Sequence, residues 1–167
     1  MLSQFLMVPC VCLKFIAVFI VVVCSGCGQV EFTFSNGQQK SLESFKGNWV
    51  IVNYWATWCK PCIEEIPELN TLNQHDGVLV LGVNYDGLIG DELSSEANKI
   101  GIDYDLIVID PSEKLQVKRP SALPATVLID RSGVTRKILY GPQTMVSITE
   151  EMKLLEGGEK KRHANGN

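Results

Sequence analysis

The chain has 167 residues, 46% of them hydrophobic, which suits one domain with a compact core, and it contains no internal repeat or low-complexity block. Its formal charge of −4 argues against a nucleic-acid partner, because phosphate binding needs a basic face. The one basic cluster, Lys160, Lys161 and Arg162, lies beside Glu159 amid Gly, Asn and His and reads as a solvated tail.

Lys14 is the only charged residue before Glu31, and it precedes an apolar run over residues 15–23. That run is short for a bilayer span but right for the core of a signal peptide. It ends in Cys24-Ser25-Gly26-Cys27, which resembles a bacterial lipobox, although Cys24 stands where that motif usually has Leu. The resemblance implies cleavage before Cys27 and a lipid on Cys27. Gly28, in place of Asp, implies outer-membrane sorting in a Gram-negative host. An uncleaved helix over residues 2–23 is the alternative, and Met7 is a second possible start. Either way, Lys14 held inside places the domain outside the cytoplasmic membrane. On the lipobox reading Cys10, Cys12 and Cys24 leave with the signal and Cys27 is capped, so Cys59 and Cys62 are the remaining thiols.

Residues 30–34 alternate apolar and polar and predict a short strand closed by the Asn36-Gly37 turn. A helical turn or loop follows over 41–45, and 49–55 is apolar apart from Asn53, as a strand buried on both faces requires. Residues 61–74 predict a helix, with Pro61 in its first turn, Glu64 and Glu65 near its positive end, and Ile63, Ile66, Leu69 and Leu72 at helical spacing. Pro67 predicts a kink in it. A second buried strand is expected over 78–84, a helix over 91–100 stopped by Gly101, a short strand over 106–109 and a brief helix over 114–118. A hairpin joins 126–129 to 134–140 through Asp130-Arg131-Ser132-Gly133, and a closing helix over 144–155 ends at Gly157-Gly158. The order of elements predicts an α/β sheet with an antiparallel edge pair.

Between the first long strand and its helix stands Trp58-Cys59-Lys60-Pro61-Cys62. Two cysteines at this spacing can form a reversible disulfide, because the first turn of a helix brings their sulfurs together and its N-terminus favours a thiolate, although zinc sites share the spacing. In open α/β sheets chemistry sits at the carboxyl ends of the strands, which is where this loop falls.

Residues 50–62, Val-Ile-Val-Asn-Tyr-Trp-Ala-Thr-Trp-Cys-Lys-Pro-Cys, with Glu65, Pro67 and then Leu123-Pro124-Ala125-Thr126, resemble a thioredoxin-fold protein. More narrowly they resemble the TlpA/ResA group of membrane-tethered extracytoplasmic thiol-disulfide oxidoreductases. The resemblance spans about residues 42–155 and implies a thioredoxin-like three-layer sandwich, a central mixed β-sheet flanked by helices. The domain plan is then a signal peptide over 1–26, an anchored segment and first strand over 27–40, the thioredoxin-like domain over 41–156 and a disordered polar tail over 157–167.

For the site, the resemblance implies that Cys59, at an exposed helix N-terminus beside Lys60, attacks a partner disulfide and that Cys62 resolves it. Pro124 matches the cis-proline that lies against the pair, Leu123 touches the sulfurs, and Trp58 and Pro61 flank them. Thioredoxins carry an Asp where this chain has Asn53, which takes no proton; Glu65 matches the carboxylate that the TlpA/ResA group places beside the site instead. The activity implied is reduction of protein disulfides by a monomer without cofactor or metal, recharged by a membrane thiol donor of the DsbD/CcdA kind, with apocytochrome c as one client. The direction of electron flow stays open, since one fold spans about −270 to about −120 mV. A peroxiredoxin-like peroxidase is a second reading, although Val52 and Ala56 stand where peroxidases carry Pro and Thr or Ser. A copper or metal-assembly lipoprotein is a third, for which His75 and His163 are the available imidazoles.

Overall fold

The computed structural model describes residues 30–164, with side chains through Gly158; the expected signal segment over 1–26, Cys27 and Gly28 lie outside the described residues. Seven strands and three α-helices form among the described residues: β1 (Glu31–Thr33), β2 (Gln39–Ser41), β3 (Trp49–Trp55), α1 (Lys60–Asn73), β4 (Val78–Asn84), α2 (Gly90–Lys99), β5 (Asp105–Ile107), β6 (Ala125–Ile129), β7 (Thr135–Tyr140) and α3 (Met145–Ala164). β1 and β2 make a hairpin, and the other strands make a mixed sheet in the order β5-β4-β3-β6-β7.

All seven residues of β3 are buried, the environment that an uncharged run of this length needs. The strand pairs parallel to β4 from Trp49↔Val78 to Trp55↔Asn84, and antiparallel to β6 from Val50↔Ile129 to Tyr54↔Ala125. Because strand side chains alternate, Trp49, Ile51, Asn53 and Trp55 share one face and Val50, Val52 and Tyr54 the other. The steps β3 to β4 and β4 to β5 cross the sheet in the same direction, so right-handed crossovers place α1 and α2 on one face. α3 joins them there: Leu69 and Leu72 of α1 and Ile148 and Met152 of α3 pack with Trp49, Ile51, Val80 and Leu128.

The opposite face is closed without a long helix. Phe32 and Phe34 of the β1–β2 hairpin region and Leu115 of the connection between β5 and β6 cover Val50, Val52, Tyr54 and Val127, with Leu42 and Phe45 of a 3-10 turn alongside. Helices, sheet and this hairpin cover are the three layers.

β2, where no strand was expected, pairs with β1, and two further elements depart from the sequence reading. Residues 114–118 form no helix. The chain makes one turn that ends when the N–H of Val117 bonds to Ser112 at 2.9 Å and that of Gln116 to Glu113 at 3.0 Å, a Schellman pattern with Gln116 at φ 56°. α3 does not stop at Gly157-Gly158 but runs on to Ala164, so the polar tail expected from 157 is helical through 164. Each glycine costs a helix about 1 kcal/mol. Glu156, just before the pair, is held by Trp49 Nε1 at 2.8 Å and Arg131 Nε at 3.3 Å, and this tertiary anchoring fixes the turn from which the helix continues.

Candidate active site

β3 ends at Trp55, and the chain turns through Ala56, Thr57 and Trp58 so that Cys59 becomes the N-cap of α1. Its Sγ accepts the N–H of Cys62 at 3.2 Å, and Pro61 occupies the first turn, where a missing N–H costs nothing. Cys59 and Cys62 are joined by a disulfide with an S–S distance of 2.08 Å. Lys60 and Pro61 at the helix N-terminus are exposed, while in the disulfide form Cys59 is 5% exposed and Cys62 is fully covered. An uncharged disulfide packs as an apolar group, and here it lies in a cluster with Trp55, Ala56, Leu93, Ala97 and Leu106, with Leu123 partly buried against it.

β6 runs antiparallel to β3 and pairs Ala125 with Tyr54, so its first residues fall beside the end of β3 that carries Cys59. The Leu123–Pro124 bond there is cis. Trp58 is 65% exposed, and its Nε1 donates to Asp86 Oδ2 at 2.9 Å, which ties the loop before α1 to the loop after β4. Lys60 points to solvent and pairs with Glu64 at 3.7 Å, an exposed contact of the kind that contributes little.

The polar part of the site lies one helical turn into α1. Buried positions of α1 are Cys62, Glu65, Ile66, Leu69 and Leu72, so Glu65 occupies the core-facing stripe while Ile63, expected on it, sits at the rim. Glu65 Oε1 accepts from Asn53 Nδ2 at 2.7 Å, and Oε2 accepts the N–H of Gln143 at 2.8 Å. Asn53 Oδ1 in turn accepts from the Tyr104 hydroxyl at 3.2 Å. Burial pushes the Glu65 carboxyl up to about 7, against the opposing effect of the two N–H donors from Gln143 and Asn53. Tyr104 is raised by its own burial and by the charge of Glu65.

The long connection from β5 to β6, which ends in Pro124, is pinned by one arginine. Arg119 Nε bonds to Asp110 Oδ2 at 2.7 Å, its Nη2 bonds to the Tyr85 carbonyl at 2.6 Å, and its guanidinium lies 4.1 Å from the centre of the Tyr85 ring. Tyr54 donates to the other Asp110 oxygen at 2.8 Å. Burial alone would raise Asp110, but the donors from Ser112, Tyr54 and Arg119 outweigh it and hold the carboxyl below its ordinary value.

The structure thus gathers Cys59, Cys62 and Leu123 in one cluster, joins Asn53 to Glu65 one turn further along α1, sets Pro124 at the same end of the sheet, and leaves Trp58 and Lys60 on the surface. His75 follows the far end of α1, about 20 Å of helix away from Cys59. Sequence reasoning missed Tyr104, Gln143 and Arg119. Tyr104 had a weak signal as a lone aromatic between Asp103 and Asp105, whereas Gln143 acts through its backbone and leaves no mark in the sequence.

The profile of the AhpC/TSA family matches residues 28–138. A thiol-disulfide oxidoreductase ResA from Geobacillus thermodenitrificans is 31% identical over 134 residues, covering 75% of this chain and 75% of its own. Among solved structures, a thiol:disulfide interchange protein of the thioredoxin family from Chlorobium tepidum superposes with a TM-score of 0.63 at 23% identity, over 76% of this chain and 92% of that one. The exposed lipoprotein thioredoxin Etrx1 of Streptococcus pneumoniae gives 0.58 at 22% identity, over 75% and 98%.

Proposed function

The chain belongs to the AhpC/TSA family and is a thiol-disulfide oxidoreductase of the ResA type, and from that premise we propose that it works outside the cytoplasmic membrane, tethered by lipid on Cys27, and reduces disulfides of protein clients. The observation that carries the reading is the Cys59–Cys62 disulfide at the start of α1 with a buried carboxyl group one turn further on.

In the dithiol form the Cys59 thiolate, favoured by the helix N-terminus, attacks one sulfur of a client disulfide. A Cys59–client bond forms, and the other client sulfur leaves as a thiolate and takes a proton from water. Cys62 gives its proton to ionised Glu65 and attacks Cys59 Sγ. The second client sulfur leaves and is protonated, the Cys59–Cys62 bond remains, and two electrons have passed to the client. Pro124 and Leu123 offer the client a backbone edge beside the sulfurs, and Trp58 flanks the approach. A membrane thiol carrier of the DsbD/CcdA kind returns the pair to the dithiol, and the protein acts as a monomer without cofactor. The lipobox-like Cys27 supports the tether, in keeping with the pneumococcal neighbour named as a lipoprotein.

A Cys62→Ser variant of the full chain, expressed in its own cell, is expected to accumulate mixed disulfides with client proteins that are lost when Cys59 is also replaced. An empty trap overturns the protein-client reading. A dithiol potential near the oxidising end, about −120 mV, without disulfide reductase activity reverses the direction. Peroxide consumption that depends on Cys59 replaces the proposal with a peroxidase.

A further inference from the structure

Asn53 is fully buried in the middle of β3, and its amide has two ends of nearly equal size, so shape alone does not decide which end faces Glu65. Two arrangements satisfy the Asn53–Glu65 contact. In the observed one Nδ2 donates to Glu65 Oε1 at 2.7 Å, which suits a carboxylate. In the flipped one Oδ1 would face Glu65 and need a protonated carboxyl as its donor. The partner at the other end separates the two. The Tyr104 hydroxyl donates to Asn53 Oδ1 at 3.2 Å, and Tyr104 is itself buried, with no other hydrogen-bond partner for that hydroxyl among the described residues. In the flipped arrangement Nδ2 would point at the tyrosine oxygen and the buried hydroxyl hydrogen would have nowhere to go, a loss that folded proteins avoid.

We propose that Tyr104 is a positioning residue for the redox centre: by fixing which way the Asn53 amide faces, it sets whether Glu65 meets a donor or an acceptor. Tyr104 does not touch the sulfurs; it acts through Asn53. The inference rests on the reading of Glu65 as the proton acceptor for Cys62 only for its catalytic consequence, since the effect on Glu65 itself follows from the hydrogen bonds.

The other groups that face Glu65 come from each element packed on it. Cys62 lies one turn back on α1, and Glu68, one turn on, accepts the N–H of Met145 at 3.0 Å. The segment before α3 contributes the Gln143 N–H. From β6, Thr126 pairs with Asn53 across the strands, and its hydroxyl is buried without a hydrogen bond. None of these fixes the Asn53 amide, so the orientation rests on Tyr104.

The experiment is a pH titration of the Glu65 carboxyl carbon by ¹³C NMR in the full chain in detergent, with the disulfide intact, for the wild type, Tyr104→Phe and Thr126→Val. Tyr104→Phe keeps the ring and removes the donor, and it is expected to move the Glu65 midpoint up by about one pH unit. Thr126→Val, which removes a hydroxyl on the same face, is expected to leave the midpoint in place. An unchanged midpoint in Tyr104→Phe, or an equal shift in both variants, overturns the proposal. The pH profile of client reduction then separates the two readings. Tyr104→Phe is expected to shift that profile in the wild type and not in a Glu65→Gln background. If the carboxyl midpoint moves while the profile of Glu65→Gln matches the wild type, the positioning role stands and the proton-acceptor role of Glu65 falls.

Discussion

Glu65 places an ionisable group on a helix stripe otherwise made of Cys62, Ile66, Leu69 and Leu72, and its position has a thermodynamic cost that depends on pH. Burial raises the carboxyl from the ordinary 4.5 to about 7 in the folded protein. Below 4.5 folded and unfolded chains both hold the proton. Between 4.5 and about 7 the folded chain holds more of it, so stability falls as pH rises through that window and levels off above it. Relative to Glu65→Gln, which cannot ionise, the wild type is expected to lose about 3 kcal/mol between pH 4 and pH 8, read from urea midpoints of the two proteins across that range. A difference that stays flat would mean that Glu65 ionises at its ordinary pH in the fold. The same position lets the group change protonation near neutral pH, which is what accepting a proton from Cys62 requires. Lys60, by contrast, is exposed and paired with Glu64, so Lys60→Ala is expected to shift the redox potential little, by less than about 10 mV.

Among the elements, the connection from β5 to β6 shows where stability is left unused. Gln116 holds φ 56° at the position of a Schellman cap that glycine fills without steric cost, and its side chain is exposed. Gln116→Gly is therefore expected to stabilise the fold by about 0.5–1 kcal/mol, the relief of the left-handed strain less the extra freedom of glycine in the unfolded chain. A urea midpoint that falls would show that the Gln116 side chain has a hidden role. This turn also marks where sequence patterning stops being informative. β3, β4 and α1 were legible because a continuous apolar run and a stripe at helical spacing each have one packing solution. The helix expected over 114–118 failed because Leu115 is drawn into the core beside Phe32 and Phe34, a tertiary contact without local signature. At α3 the glycine pair gave a correct local preference that Glu156, tied to Trp49 and Arg131, overrides. At the site the two cysteines could be picked out by type and spacing, and Glu65, Asn53 and Pro124 through the resemblance to the TlpA/ResA group. The Gln143 amide reaches Glu65 from 78 residues further along the chain, and Tyr104 reaches Asn53 from 51, so only the folded chain shows them.

The whole molecule has two poles, and the start of the described chain at Val30 and the redox centre fall on different ones. β3 runs toward Cys59, and antiparallel β6 brings Pro124 to that same end, so the turn after Ile129 lies at the opposite end. Val30 is at that opposite end: its carbonyl accepts the N–H of Leu42 at 2.7 Å, and Val30, Leu42, Gly133 and Val134 line one groove. On the proposed tether, Cys27 is three residues before Val30, a reach of about 10 Å at most. The seven residues of β3 alone span about 23 Å between the two ends. An anchor at Cys27 would therefore hold the domain with Trp49 toward the bilayer and Trp58 away from it, so the proposed tether predicts that the disulfide faces the aqueous space. Fluorotryptophan labelling of the lipidated full chain in vesicles that carry a paramagnetic headgroup tests this, because relaxation enhancement falls steeply with distance from the surface. The Trp49 resonance is expected to broaden more than that of Trp58, with Trp55 between them. Equal broadening would mean that the domain tumbles freely on its tether, and the reverse order would place the redox centre against the membrane; either result overturns the orientation.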